Sequence, residues 1–140
     1  MKILIDDNKT LAEIQRDFSK EFPYLKIEFF ETPHSKAKAL PKSKMYNNTR
    51  TVGSCRKVHN TGEISISKSQ VVETMEQDFW DNFGLSVQVF RKSGNLWIET
   101  SLTDAWTLER QNREGHEISE NKSAKEISDE LDLTDRDKWD

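Results

Sequence analysis

The sequence of 140 residues has few of the residues that build several common kinds of site. Its single cysteine, Cys55, excludes an intramolecular disulfide framework and a zinc site of the multi-cysteine type. The five glycines stand singly, so no glycine-rich phosphate loop is present. No apolar run approaches the roughly 18–20 residues that a membrane span needs. The first residues resemble neither a signal peptide nor a presequence, and we therefore expect a cytoplasmic protein.

The composition indicates one small domain with polar segments outside its core. Apolar residues make up 34% of the chain and charged residues 33%, which is apolar-poor for a globular protein. A net charge of −4 argues against a general polyanion binder. We predict a single α+β domain over residues 1–117. Residues 118–140 are acidic and low in hydrophobicity, and we expect them to form a disordered tail that can fold onto a partner.

An internal repeat organises the first two thirds of the domain. Apolar positions recur at an offset of 61 residues, which becomes 60 toward the end of each half. In each half, residues 1–31 and 62–91, alternation predicts a strand, a 3–4 spacing predicts a helix, and alternation returns. The order βαββαβ predicts a ferredoxin-like (split βαβ) antiparallel sheet with both helices on one face. The matched pairs include Ile3 with Ile64, Ile14 with Met75, Phe18 with Phe79, Phe22 with Phe83 and Ile27 with Val87.

Capping signals mark the ends of the two predicted helices. The strings Thr10–Glu13 and Ser67–Gln70 have the form of a capping box and of its glutamine variant. Pro23 forbids continuation of the first helix, and Gly84 allows a left-handed cap on the second.

The second half continues into an extension over residues 92–115. The pair Ser93–Gly94 is expected at the tip of a hairpin turn, which would place Phe90 opposite Trp97. A short helix is predicted over Leu102–Gly115, with the glycine as its stop signal.

The linker over residues 32–62 is basic and long for a compact domain. It contains no acidic residue, and its charge separates it from the acidic C-terminal third. Three interpretations stay open: the linker contacts the phosphates of nucleic acid, it binds the acidic tail of the same or another copy, or it is a solvated loop. Its cations, the candidate nucleic-acid-binding residues, are Lys36, Lys38, Lys42, Lys44, Arg50, Arg56 and Lys57.

Catalytic and metal-binding signals are weak. Cys55 lies beside two cations and four residues before His59, the pattern that lowers a thiol pKa and supplies a base, so a thiol-dependent enzyme is one alternative. No orienting group or oxyanion motif accompanies the thiol, and a free cysteine on a loop is the simpler interpretation. The histidines share no ligand spacing. We therefore assign no catalytic residue, no metal site and no cofactor.

The aromatic residues outside the repeat pattern are the strongest lead to function. An exposed group of them marks protein–protein contact. In the alternative interpretation, the helix after residue 102 covers Phe90 and Trp97 through Trp106 as a second small core. The sequence thus favours a non-enzymatic interaction or regulatory module, ahead of a nucleic-acid-binding accessory protein and a thiol-dependent enzyme. The candidate protein-binding residues are Phe90, Trp97, Trp106 and Trp80.

Overall fold

The computed structural model describes the backbone of residues 1–34 and 38–131. Within these ranges the chain forms five strands and three helices. Their order is β1 (Lys2–Ile5), α1 (Leu11–Glu21), β2 (Leu25–Phe30), β3 (Gly62–Ser65), α2 (Val72–Phe83), β4 (Ser86–Ser93), β5 (Leu96–Glu99) and α3 (Leu108–Leu131). No helix of the described residues is both long and apolar enough to cross a membrane.

The strands form two antiparallel sheets, which confirms a mixed α+β fold. β1 pairs with β3, and β4 lies between β2 and β5 in a second sheet. The single ferredoxin-like sheet is not confirmed, because alternation identifies a strand and its buried face but not its neighbours. In each ladder between the two halves, a residue lies opposite its own counterpart in the repeat: Ile3 opposite Ile64, and Glu28 opposite Gln88.

The core lies between the helices and the sheets, where the predicted apolar stripes place it. Leu11, Ile14 and Phe18 of α1 are buried, and the corresponding face of α2 is buried as well. The rings of Phe29 and Phe79 meet edge to face at 6.3 Å. This contact packs β2 of the first half directly against α2 of the second.

The two predicted caps have different outcomes. The capping box of Thr10 and Glu13 is present at the start of α1. The second is wrong: α2 begins after Val71, and Ser67 and Gln70 close a turn before it. The amides of the first turn of α2 need no side-chain cap, because backbone carbonyls of a later segment accept their hydrogen bonds.

A segment from further along the chain packs against the N-terminus of each of the first two helices. We call residues 47–56 the first docking segment and residues 103–112 the second. Each segment both accepts a hydrogen bond from a helix N-terminus and donates one to the loop before that helix. The bonds run from Leu11 N to Arg50 O (2.9 Å), Val52 N to Lys9 O (2.8 Å), Val72 N to Trp106 O (3.0 Å) and Leu108 N to Gln70 O (2.9 Å).

The hairpin after β4 turns one residue later than predicted, which shifts the pairing of its two strands by two residues. Phe90 lies opposite Glu99, and Trp97 lies opposite Lys92. The predicted pairing of Phe90 with Trp97 is therefore wrong. A register shift of two residues leaves every side chain on its original face, so alternation cannot detect it. Gly94, with φ at 64°, takes the first turn position, where a left-handed backbone is needed.

α3 is longer than the helix predicted from the sequence, and it starts later. Residues Ser101–Thr103 form a separate 3₁₀ turn, and Gly115 lies inside α3 rather than at its end. A Cβ on Gly115 would lie 3.0 Å from the Tyr24 Cβ and 3.1 Å from its carbonyl oxygen. This glycine therefore permits close packing against the chain at Tyr24. Residues 118–131 are helical, and the rest of the predicted tail lies outside the described residues.

Candidate functional site

The predicted aromatic surface is not one surface. Phe90 is buried in a small second core with Phe30 and Leu40, and Met45 packs beside them. The basic linker, rather than the helix with Trp106, therefore covers this face of β4. Phe90 packs against Leu40 and Met45 of the linker. The linker has few apolar residues and no regular apolar spacing, so the sequence gave little indication of this packing.

The tryptophans occupy separate environments. Trp106 lies under the guanidinium groups of Arg110, at 3.7 Å from the ring centroid, and Arg91, at 5.5 Å. Trp80 is half-buried and lines a cleft that also contains Cys55. Trp97 keeps 39% of its surface exposed on β5. Among the four predicted protein-binding residues, Trp97 is thus the exposed one.

β5 carries exposed apolar side chains on both of its faces. Leu96 and Ile98 are 64% and 43% exposed, and they alternate with Trp97. Leu102 follows in the next turn and is 91% exposed. Within the described residues, no strand pairs with the outer edge of β5. We call Leu96, Trp97, Ile98 and Leu102 the β5 surface; an apolar edge of this kind is usually protected by charge or covered.

Positive charge flanks the β5 surface. Lys92 lies directly across from Trp97, and Arg91 lies across from Ile98. The Lys26 Nζ is 5.2 Å from the centroid of the Trp97 ring. The one carboxylate of β5, on Glu99, already accepts hydrogen bonds from Ser101 and the Gln88 side chain. The surface is therefore apolar with a basic border on the β4 side.

The basic linker is docked through its second half rather than free in solvent. Arg50 stacks on Tyr46 at 4.7 Å and donates to the Ser54 carbonyl at 2.9 Å. Arg56 is buried, so it is not available to phosphate, which corrects its place among the candidate nucleic-acid contacts. Lys36 lies outside the described residues. The other predicted cations are exposed, and nucleic-acid binding by them stays a prediction: Lys38, Lys42, Lys44, Arg50 and Lys57.

A polar network anchors Arg56 to the first half. Its Nε donates to Asp7 Oδ1 at 2.9 Å, and its other nitrogens reach the carbonyls of Phe83 (3.1 Å) and Asn60 (2.7 Å). The other oxygen of Asp7 lies 2.9 Å from His59 Nδ1. Partial desolvation raises the pKa of Asp7, but the hydrogen bonds and charges of Arg56 and His59 outweigh it and lower that pKa below its ordinary value.

The predicted thiol chemistry finds little support in this geometry. His59 hydrogen-bonds to Asp7, while the Cys55 Sγ lies 3.6 Å from the Ser54 hydroxyl oxygen. A base must lie within hydrogen-bond reach of the nucleophile that it activates. Among the described residues, no group of three or more potential ligands could hold a metal ion.

A buried carboxyl on α2 was missed by sequence reasoning. Glu76 is 5% exposed, and its Oε2 accepts a hydrogen bond from the Val89 amide at 2.9 Å. Burial raises the pKa of Glu76 to about 8, against the smaller lowering effect of that hydrogen bond. A signal was present, because Glu76 stands four residues after Val72 and three before Phe79, on the buried stripe.

Comparisons with known proteins assign this chain to no group. No family model, no curated protein and no solved structure matches it.

Proposed function

We propose that the protein is a cytoplasmic interaction module that binds an extended segment of a partner protein at the edge of β5. The segment adds a strand to the sheet, and its side chains cover the exposed apolar groups on both faces. Main-chain hydrogen bonds supply affinity in this mode of recognition, and alternate side chains supply specificity.

The β5 surface is the observation that carries this proposal. Three large apolar side chains on an edge strand of four residues remain 39–64% exposed, although other apolar residues of the same sheet are buried. The ammonium group of Lys92, directly across from Trp97, favours a segment in which apolar residues alternate with acidic ones. The free cysteine is compatible with a reducing compartment.

The test is selection of ten-residue peptides from a displayed random library, followed by titration of the best binder. Selected sequences should alternate apolar and acidic residues, and their binding should perturb the backbone amides of β5 in NMR spectra. Ile98→Ser should weaken binding at least tenfold. Leu4→Ser is the matched control, because Leu4 is 46% exposed on β1, and its binding should equal that of the parent.

Other outcomes contradict the proposal. Selected peptides that are basic, or that perturb the amides of the linker instead of those of β5, would show that binding occurs at a different surface. Concentration-dependent self-association abolished by Ile98→Ser, without peptide binding, would assign the surface to a second copy of the chain.

We also propose that the two halves derive from a duplicated unit. Support comes from the pairing of repeat counterparts in both ladders and from the equivalent hydrogen bonds of the two docking segments. The proposal extends the repeat beyond the strands and helices to the segment that follows each βαβ unit. A test is expression of residues 1–60 alone. This fragment should form a dimer if two copies pair with each other as the two halves pair in the full chain.

A further inference from the structure

A cleft opens between the first docking segment and the C-terminal end of α2. Its volume is about 790 Å³, within the range of small-molecule sites. Phe30, Tyr46, Val58 and Trp80 supply apolar and aromatic wall, and Cys55 lies at the same cleft. None of these residues belongs to the β5 surface, so this cleft is independent of the function proposed above.

The opening at the equivalent place, between the second docking segment and the C-terminal end of α1, is smaller, at about 350 Å³. Val52 and Leu108 make equivalent backbone hydrogen bonds, so Cys55 and Gln111, three residues later in each segment, correspond. Gln111 is fully buried and bonds to Arg91 at 2.9 Å and to the Thr103 carbonyl at 2.8 Å. Gln111 is therefore packed by its hydrogen-bond partners and does not line the smaller opening, whereas Cys55 lines the larger cleft.

The residue that corresponds to Arg91 is also different. The carbonyls of Phe29 and Val89 accept equivalent hydrogen bonds from the chain that follows, which makes Glu31 the counterpart of Arg91. Both Glu31 and Cys55 line the cleft. The hydrogen-bonded pair of Arg91 and Gln111 is thus replaced by a carboxylate and a small thiol.

A buried hydroxyl in this cleft has no partner. Ser86 is 4% exposed and lines the cleft, and its Oγ makes no hydrogen bond with any described residue. An unsatisfied buried hydroxyl costs about 1–3 kcal/mol. A bound group that hydrogen-bonds to Ser86 would remove that cost, which is an indication of a ligand separate from the presence of the thiol.

The charges of the cleft favour a cation. Of the two basic residues of the cleft, Arg56 is neutralised by Asp7 at 2.9 Å. One positive charge, on Lys57, therefore remains to balance two negative charges, on Glu31 and Asp81. Tyr46 and Trp80 present aromatic surface, to which organic cations are attracted. We propose that this cleft binds a small aromatic amine, with its ring against the aromatic wall and its ammonium group toward Glu31 and Asp81.

The experiment uses three probes of similar shape and different charge: tryptamine, indole and indole-3-acetate. Cys55 is the only cysteine of the chain, so its alkylation by iodoacetamide reports on this cleft alone. Saturating tryptamine should slow alkylation at least tenfold, indole should slow it less, and indole-3-acetate should leave it unchanged. Calorimetry gives the affinities independently.

Substitutions of cleft residues distinguish a specific binding site from a surface cavity that binds no ligand. Ser86→Ala should weaken tryptamine binding three- to tenfold without lowering Tm, because the hydroxyl has no partner to lose. Glu31→Gln should reduce the preference for tryptamine over indole. Trp80→Leu should weaken binding, whereas Trp97→Leu, the matched control on β5, should not.

Three results would overturn the proposal. These are protection by indole-3-acetate equal to that by tryptamine, absence of protection by all probes at millimolar concentration, and protection that Ser86→Ala and Glu31→Gln both leave unchanged. Loss of peptide binding at β5 has no bearing on these results, since that surface and the cleft share no residue.

Discussion

The two docking segments differ in their side chains although their backbones bind the helices in the same way. In the first, Arg56 is buried and donates to Asp7, Phe83 and Asn60. At the equivalent position of the second, Asn112 accepts a single hydrogen bond from the Tyr24 amide at 2.9 Å. The first segment is therefore held by a charged network, and the second by a neutral amide and a longer helix.

This difference separates the interactions that define the fold from those that are free to change. The helix N-termini of α1 and α2 need acceptors for their amides, and a backbone carbonyl serves in both halves. Because the backbone performs that task, the side chains beside it can diverge. The first segment leaves a cleft of about 790 Å³ beside Cys55, whereas the second continues into α3, buries Gln111 and leaves an opening of about 350 Å³.

The largest effect is expected from the charged network. Arg56→Ala should reduce the free energy of unfolding by about 3 kcal/mol, because it removes a buried cation and leaves carbonyl groups without donors. Asn112→Ala should cost about 1 kcal/mol, the value of one hydrogen bond. Urea unfolding monitored by tryptophan fluorescence measures both.

Equal stability of Arg56→Ala and Asn112→Ala would contradict the proposed difference between the two segments. That result would mean that the network around Arg56 contributes no more than its neutral counterpart, for instance because water replaces the lost donors. A changed slope of the unfolding curve would instead indicate a change in the denatured state.

A pH effect, smaller per pH unit than the effect of Arg56→Ala, should distinguish α2 from α1. Glu76 corresponds to Gln15 in α1, whose side chain donates to the Ile27 carbonyl at 2.9 Å. The folded pKa of Glu76, about 8, lies above its ordinary value of 4.5, so the native state holds the extra proton between these two pH values. Stability should therefore fall as pH rises from about 4.5 to 8, by up to about 1.4 kcal/mol per unit.

Glu76→Gln makes α2 resemble α1 and should flatten this dependence. Urea midpoints at intervals between pH 5 and pH 9 measure it. A decline of equal slope in the variant would show that the dependence arises elsewhere. Asp7 has the opposite sign: its folded pKa is lowered, so its contribution is present at neutral pH and is lost as acid protonates it.

The sequence was informative where burial repeats with a regular period. The apolar stripes of α1 and α2 and the alternation of the first four strands predicted those elements, and every end except the start of α2 lies within two residues of its prediction. Strand neighbours, the hairpin register and the start of α2 were not predicted. Each depends on hydrogen bonds between distant backbone groups, and those leave no pattern of side chains.

The candidate surfaces were predicted less well for a related reason. Trp97 is exposed, but Phe90 is covered by Leu40 and Met45, from a linker whose apolar residues are sparse. Arg56 looked like the other linker cations, since a partner 49 residues earlier in the chain is invisible to local composition. Residues whose role depends on one distant partner are therefore the ones that sequence reasoning misassigns.

An effect smaller than that of Arg56→Ala is expected from a single methyl group. A Cβ on Gly53 would lie 2.9 Å from the Asp7 Cβ and 3.2 Å from its carbonyl oxygen, and Asp7 is held in place by Arg56 and His59. Gly53→Ala should therefore cost about 1–2 kcal/mol through overpacking. Glu109 follows Leu108 as Gly53 follows Val52, and it is exposed. Glu109→Ala should change stability by less than about 0.5 kcal/mol. Equal costs in thermal unfolding would mean that the first segment is no more tightly packed than the second, and that its cleft arises from looseness rather than from the residues that line it.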